Sequence, residues 1–168
     1  MGSSRAVWAA SHVCLAPSSC TCDVVAVGGA GVVVWRLTTD WRTEVIRRDN
    51  TGTMGDLPAD LFSGMQQLGQ LYIYNNDGLG TIREFAFRGV KSDQRVIVSG
   101  QSSNFSIEAG AFDGAESEQG FQLDNCQGLW RLPAGTFRGA WSNGELQVDY
   151  NHNLLTVEAG AFEGVLKV

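Results

Sequence analysis

The sequence predicts a repeat solenoid of the α/β type, mostly β, with short irregular or 3-10 segments on its convex side. The main observation is a Phe followed two residues later by Gly, which recurs every 25 residues. The five pairs are Phe62/Gly64, Phe87/Gly89, Phe112/Gly114, Phe137/Gly139 and Phe162/Gly164. Between them lie short alternating apolar stretches, such as Leu71-x-Ile73 and Val96-x-Val98, which are typical of half-buried strands. Such short units bury their apolar faces only by stacking, which predicts a parallel sheet with one strand per unit.

The composition is that of a protein that folds. Of 168 residues, 43% are hydrophobic, and this length suits one domain or one elongated array. The formal net charge of −6 argues against a general nucleic-acid binder, because phosphate contacts need an excess of Lys and Arg. Acidity grows along the chain, since residues 116–168 hold three basic and seven acidic groups. This pattern fits either a solvated acidic surface or a basic partner near the C-terminal turns.

Further columns of residues keep the same 25-residue register. Apolar residues stand five positions before each Phe and three positions after it, and we expect them to share one core with the Phe residues. The position three residues past each strand is polar and holds Asn76, Gln101, Cys126 and Asn151. We expect this column to turn inward and bond backbone groups of the loop that leaves the strand. Cys126 is therefore predicted to be a buried structural thiol, since no activating His stands at a matching position.

Written out, the unit reads L-x-L-x-x-N-x-x-L-x-x-L-x-x-x-x-F-x-G, and this pattern resembles the leucine-rich repeat family. The resemblance covers roughly residues 43–168. The three-residue gap after the Asn, in "NNDGL" and "NHNLL", and the "AF-x-G" ending are similar to extracellular leucine-rich repeats, including those of glycoprotein-hormone-receptor ectodomains. The resemblance implies a right-handed horseshoe with a parallel sheet on its concave face, and a partner protein bound there.

The N-terminal part divides into two segments. Residues 1–22 form a leader or a cysteine-bearing segment, and residues 23–42 predict a hairpin of two strands joined at residues 28–31. The resemblance implies that this hairpin caps the first turn. Cys14, Cys20 and Cys22 either form a disulfide here or remain free buried thiols. A weak signal-peptide pattern at residues 6–16 favours an extracellular or cell-surface protein, and a cytoplasmic location stays open.

The repeats, residues 43–168, stop just before the next strand is due. No cysteine cluster that could form a cap follows the last unit, so we expect the last turn to expose the edge of its core. This pattern predicts a fragment, a truncated gene product or one end of a larger assembly.

One unit departs from the repeat at a column that otherwise holds Leu. Asn104 stands there instead, and Asn104-Phe105-Ser106 is an N-glycosylation sequon. A glycan cannot lie in a core. Either Phe105 takes the inward place and Asn104 faces solvent, or the sequon is incidental.

The outward residues of the predicted strands are the candidate binding residues, because strands in this architecture line the face that meets a ligand. By alternation the candidates are Tyr72, Tyr74, Arg95, Ile97, Gln122, Asp124, Glu145, Gln147 and Asp149. The same alternation adds Gln70, Asn75, Ser99, Asn125 and Tyr150. Tyrosines are favoured contact residues, and the carboxylates of the later turns suit a basic protein or peptide. The alternative is an ordinary solvated strand face.

We therefore expect a protein–protein interaction module, with a receptor ectodomain fragment as one setting. A structural spacer or a truncated fragment without a ligand is the first alternative. A hydrolase is the second, because Asp124 and Asp149 stand one repeat apart and thus about 5 Å apart on neighbouring strands. No His or nucleophile accompanies them, so catalysis is not expected. The sequence predicts no cofactor, metal site, nucleic-acid partner or membrane span, and it leaves the oligomeric state open.

Overall fold

A computed structural model describes residues 22–28, 31–37, 44–47, 55–64, 71–74 and 78–167, and every regular element within them is a β-strand. In chain order the strands are β1 (Cys22–Gly28), β2 (Gly31–Leu37), β3 (Glu44–Arg47), β4 (Gly55–Leu57), β5 (Leu71–Tyr74), β6 (Leu79–Ile82), β7 (Lys91–Ser92), β8 (Val96–Ser99), β9 (Ser106–Ile107), β10 (Glu116–Ser117), β11 (Gly120–Asp124), β12 (Arg131–Leu132), β13 (Trp141–Ser142), β14 (Glu145–Asp149), β15 (Thr156–Val157) and β16 (Leu166–Lys167).

The first two strands form an antiparallel hairpin. β1 pairs with β2 along its whole length, from Cys22 opposite Leu37 to Gly28 opposite Gly31. Both strands predicted in this part of the sequence are present. They are rich in Val, whose branched side chain favours the extended backbone of a strand.

The repeats form a parallel β-solenoid of about four turns. Three sets of parallel strands run along it. The face sheet joins β3, β5, β8, β11 and β14, the corner ladder comprises β4-β6-β9 and β12-β15, and the back ladder joins β7, β10, β13 and β16. Equivalent residues pair at the repeat interval, as Phe121 does with Val96 and with Leu146. The predicted solenoid, with one strand of each turn in a shared parallel sheet, is confirmed.

The segments outside the face sheet agree with the prediction in part. Irregular turns are present there, but the described residues contain no 3-10 or other helical segment, and the turns alternate with the short strands of the corner and back ladders. The Gly that follows each Phe accounts for part of this difference, because its φ lies between 62° and 70° in all five units. A left-handed residue stops a helical turn from continuing. The turn that contains each Phe therefore ends at this Gly, and the chain then enters a strand of the back ladder.

The Phe column forms the centre of the core. Phe87, Phe112 and Phe137 are at most 2% exposed, and Phe62 is 6% exposed. Their rings stack in sequence with centroids 4.7 to 5.0 Å apart and within 12° of parallel. This separation matches the strand spacing of roughly 4.7–4.9 Å, so one ring per turn fills the interior continuously. The predicted apolar columns are buried around it, as shown by Leu57, Ile82, Ile107, Leu132, Val90, Ala115 and Ala140.

The last turn buries its side chains less completely. Phe162 is 39% exposed and Val157 is 51% exposed, whereas Phe137 and Leu132, one turn earlier, are at most 1% exposed. Phe162 still stacks on Phe137, with their centroids 5.7 Å apart.

Candidate interaction face

Two columns of registered residues cross the strands of the face sheet at the positions that alternation predicts to point outward. One column runs through Tyr72, Ile97, Gln122 and Gln147, and the other through Tyr74, Ser99, Asp124 and Asp149. Members of a column come from neighbouring strands, roughly 4.8 Å apart. The composition changes along the sheet, from Tyr and Ile on β5 and β8 to amides and carboxylates on β11 and β14. The structure thus brings the predicted candidates together on one face.

Ile97 offers less surface than strand alternation predicts. Its side chain is only 9% exposed, although it occupies the outward column. Tyr72 and Gln122 stand at registered positions on the two neighbouring strands, and their long side chains flank it. Ile97 thus keeps its place in the outward column but offers little surface to a partner, while Tyr72 and Gln122 are half-buried.

Arg95 stands just before β8 and connects three turns of the face. Its Nε donates to the carbonyl oxygen of Gln119 at 3.3 Å, and its Nη1 donates to Oε1 of Gln122 and of Gln147, both at 3.2 Å. The amide of Gln147 donates in turn to Glu145 Oε2 at 2.7 Å. Four predicted candidates therefore form one hydrogen-bonded network, and a partner would meet an ordered polar surface here.

Asp124 and Asp149 occupy registered positions on β11 and β14. Neither carboxylate forms an ion pair with a described residue, and Asp124 Oδ1 is shielded from solvent without a hydrogen-bond partner. Acidic residues elsewhere do pair between turns, in the sets Arg83 with Asp56 and Glu108, Arg88–Asp60, Lys91–Glu116, Arg131–Glu158 and Arg138–Asp113. Within the described residues, the face thus carries two adjacent carboxylates that no cation neutralises.

The residue after each of the last three face strands has a left-handed backbone. Its φ is 66° at Gly100, 50° at Asn125 and 50° at Tyr150. Gly and Asn adopt this conformation readily, whereas an aromatic residue does so rarely. Tyr150 is also 69% exposed. The loop therefore presents an exposed aromatic residue directly after Asp149.

The polar column behind the face turns inward as predicted. Gln101 Nε2 donates to the carbonyl oxygen of Ile73 at 2.9 Å. Asn151 Nδ2 donates to the carbonyl oxygen of Leu123 at 2.8 Å, and its Oδ1 accepts from the backbone N–H of Cys126 at 2.8 Å. These side chains bond the backbone of preceding turns, and so they fix the loops at the carboxyl ends of the face strands.

Cys126 is the buried structural thiol that the sequence predicts, fully shielded and free of any disulfide. Burial raises its pKa to about 12, against a smaller lowering by the backbone N–H of Gln101, and Asp124 adds to the rise. The raised pKa means that the folded state favours the protonated thiol. The preference of the folded state for the protonated Cys126 thiol therefore stabilises the protein fully below about pH 9. This stabilisation is lost as pH rises toward about 12.

We expect iodoacetamide to alkylate Cys126 slowly in the folded protein at mildly alkaline pH, and rapidly after unfolding in guanidinium chloride. The thiolate is the nucleophile, and burial suppresses both its formation and access to it. Peptide mapping by mass spectrometry separates Cys126 from the N-terminal cysteines. Equal rates in the folded and unfolded protein would contradict its burial.

Several predicted residues lie outside the described residues, namely Gln70, Asn75, Asn76, Cys14 and Cys20. The structure places Cys22 in β1 and Tyr74 in β5 and describes no more than the backbone there. A disulfide among the N-terminal cysteines therefore stays a prediction.

A column of buried serines was not predicted from the sequence. Ser92, Ser117 and Ser142 are at most 3% exposed, and each stands five residues after a Phe. Ser117 Oγ lies 2.6 Å from the carbonyl oxygen of Gln94 and 2.7 Å from that of Gly120, the first residue of β11. The 25-residue recurrence of Ser was the available signal. This column holds the turn that leads into each face strand, and so it positions the binding candidates.

Comparison with known proteins gives no match to a family model, a curated protein or a solved structure. Within the part of the chain that the structure describes, no group of three or more His, Cys, Asp or Glu residues is arranged to hold a metal ion. No helix in that part is long and apolar enough to cross a membrane. The geometry of the face therefore carries the functional argument.

Proposed function

We propose that the protein is an interaction module that binds a basic, extended segment of a partner protein on the face sheet. The observation that carries this proposal is the registered pair Asp124 and Asp149, whose carboxylates have no cationic partner among the described residues. Several carboxylates on the outside of the turns are paired, as Asp56 is with Arg83. A Lys or Arg side chain of the partner would supply the missing cation.

The local energetics favour an incoming donor. One oxygen of Asp124 is shielded from water and lacks a hydrogen bond, so this ionised carboxylate is poorly compensated and would gain from a cation placed beside it. Tyr150, exposed after Asp149, adds an aromatic face that attracts cations. A basic side chain at this end of the sheet would therefore gain an ion pair and an aromatic contact together.

The other end of the face suits apolar or neutral side chains of the same partner. Tyr72 is half-buried beside the almost covered Ile97, and the Arg95 network lies between this end and the carboxylates. The complementary segment is thus apolar at one end and basic at the other, and it crosses the strands. A segment of that kind contacts one strand of each turn, as ligands of repeat proteins do.

The resemblance of the repeat unit to leucine-rich repeats supports a finer proposal. In it, the face sheet is the concave side of a right-handed leucine-rich-repeat horseshoe, and the β1–β2 hairpin is its N-terminal cap. The resemblance to extracellular repeats further suggests an extracellular or cell-surface protein, with a receptor ectodomain fragment as one setting. The support for these statements is the sequence pattern, and the binding proposal stands on the face geometry.

We expect a fluorescent peptide of alternating Lys and Thr to bind, and a Glu and Thr peptide of equal length not to bind. The double charge reversal Asp124→Lys and Asp149→Lys should weaken the binding about tenfold or more, since two partly exposed ion pairs contribute up to about 1 kcal/mol each. Binding should also weaken at high salt. Fluorescence anisotropy at low and high salt measures both effects.

The matched control is the double variant Asp93→Lys and Glu118→Lys. These exposed residues also stand one repeat apart, but they precede β8 and β11 rather than ending β11 and β14. The control makes the same change in net charge, so an effect of net charge alone would appear equally in both variants. Equal weakening by the two variants would refute binding at the Asp124–Asp149 pair. Absence of binding to the Lys and Thr peptide would instead favour a structural spacer.

A further inference from the structure

The loop after β8 carries the Asn-Phe-Ser sequon in a locally shifted turn. In the next turn of the solenoid, Leu129 N donates to the carbonyl oxygen of Cys126 and the Leu points inward. After β8 this bond lies one residue further along the chain, and Phe105 N donates to the carbonyl oxygen of Ser102. Phe105 thereby takes the inward place and is 1% exposed, while Asn104 is exposed.

The neighbouring turn is shaped to accept this shift. Gly128 N donates to the carbonyl oxygen of Ser102 at 2.9 Å. A Cβ at Gly128 would collide with the backbone of Phe105 and would lie 2.7 Å from the carbonyl oxygen of Ser102. The absence of a side chain at this position lets the two loops approach. The outward placement of Asn104 is therefore part of the packing between two turns.

We propose that Asn104 is an acceptor for an N-linked glycan in a chain that passes through the secretory pathway. The donor is an oligosaccharide linked to a lipid through pyrophosphate, and the reaction needs the hydroxyl two residues further on, which Ser106 provides. Asn104 Nδ2 forms the bond to the anomeric carbon of the first sugar and loses one proton. The bond from that carbon to the pyrophosphate breaks, and the lipid pyrophosphate leaves.

The folded protein accommodates the product of this reaction. Asn104 projects from a turn, and the adjoining Phe105 keeps the core closed beneath it. The Ser106 hydroxyl lies 2.9 Å from the Thr81 hydroxyl in the folded state, so transfer is expected before this turn packs against its neighbour. The modification does not depend on partner binding at the face sheet.

The test is expression of the full chain in mammalian cells behind an added secretion signal. The sequence contains one sequon, so a mobility shift caused by an N-linked glycan can come only from Asn104. We expect a mobility shift that peptide N-glycosidase removes, in cell lysate and in medium. Asn104→Gln and Ser106→Ala should abolish the shift, and Ser106→Thr should retain it. An unshifted chain in both fractions would overturn the proposal.

A matched control places a sequon at the equivalent position one turn earlier. Leu79→Asn creates it with one substitution, because Gly80 and Thr81 already follow, and it is made in the Asn104→Gln background. Leu79 is fully buried, so a glycan there should prevent folding and secretion. The chain glycosylated at Asn104 should instead be secreted and keep its thermal midpoint after glycan removal. Loss of secretion by the chain glycosylated at Asn104, or a lower midpoint with the Asn104 glycan present, would overturn the outward placement of Asn104.

Discussion

We expect Phe112→Ala to lower the free energy of unfolding by about 3–5 kcal/mol, the usual cost of truncating a buried Phe. The ring is 2% exposed and stacks between Phe87 and Phe137, at 4.7 and 4.8 Å. Its edge also contacts Phe121 of β11, 6.2 Å away between centroids. Removing it opens a cavity at the point where the Phe column meets the face sheet, and neighbouring turns cannot close that cavity without breaking register. Urea unfolding followed by circular dichroism measures the change.

Phe162→Ala is the matched control, because it removes the same atoms from the same column. Phe162 is 39% exposed and stacks on Phe137 at the longer distance of 5.7 Å. We therefore expect a much smaller loss of stability than for Phe112→Ala. Equal losses, or an unchanged thermal midpoint in Phe112→Ala, would show that the Phe column is not the core.

We expect Gly120→Ala to destabilise the protein by about 2–5 kcal/mol. The φ of Gly120 is 108°, a conformation that costs an L-residue roughly 1–2 kcal/mol or more. A Cβ would also collide with the backbone of Glu145, its registered neighbour on β14, and overpacking of this kind adds about 1–3 kcal/mol. Relief of the collision requires β14 to move away from β11. The substitution should therefore also disturb the Asp124–Asp149 pair and weaken binding of the Lys and Thr peptide.

Gly139→Ala separates the two contributions. Gly139 has a φ of 64°, but a Cβ there would meet no atom within 4 Å. Only the backbone cost remains, about 1–2 kcal/mol, and the face sheet should keep its peptide binding. Urea unfolding of both variants under the same conditions compares their losses in the free energy of unfolding. A loss in Gly139→Ala as large as in Gly120→Ala would contradict the close approach of β11 and β14.

The repeat register and the core could be predicted because both follow from residue type at a fixed interval. Phe112 and its equivalents are large and apolar, and each is followed by Gly, so burial and turn are encoded within three residues. The outward columns of the face followed in the same way from strand alternation. Cys126 was placed correctly because its column is otherwise amide-bearing, and a buried amide or thiol there bonds the loop backbone.

Other features depend on contacts between turns and could not be read from one unit. The back ladder has strands of two residues, such as Glu116–Ser117, which are too short to show alternation. Ile97 is only 9% exposed, and its registered neighbours Tyr72 and Gln122 are 25 residues away in either direction. The inward place of Phe105 rests on a hydrogen bond that moves by one residue, and Gly128 in the next turn permits that shift.

Amide chemical-shift mapping with the Lys and Thr peptide tests whether the face sheet recognises a basic partner. The peptide is titrated into the 15N-labelled full chain at low salt, and the shifts are compared with those of the Asp124→Lys and Asp149→Lys variant. We predict shifts centred on the ends of β11 and β14 and extending to β8, which disappear in the variant. Shifts centred on the back ladder, or shifts on the face that persist unchanged in the variant, would contradict recognition of a basic partner by the face sheet.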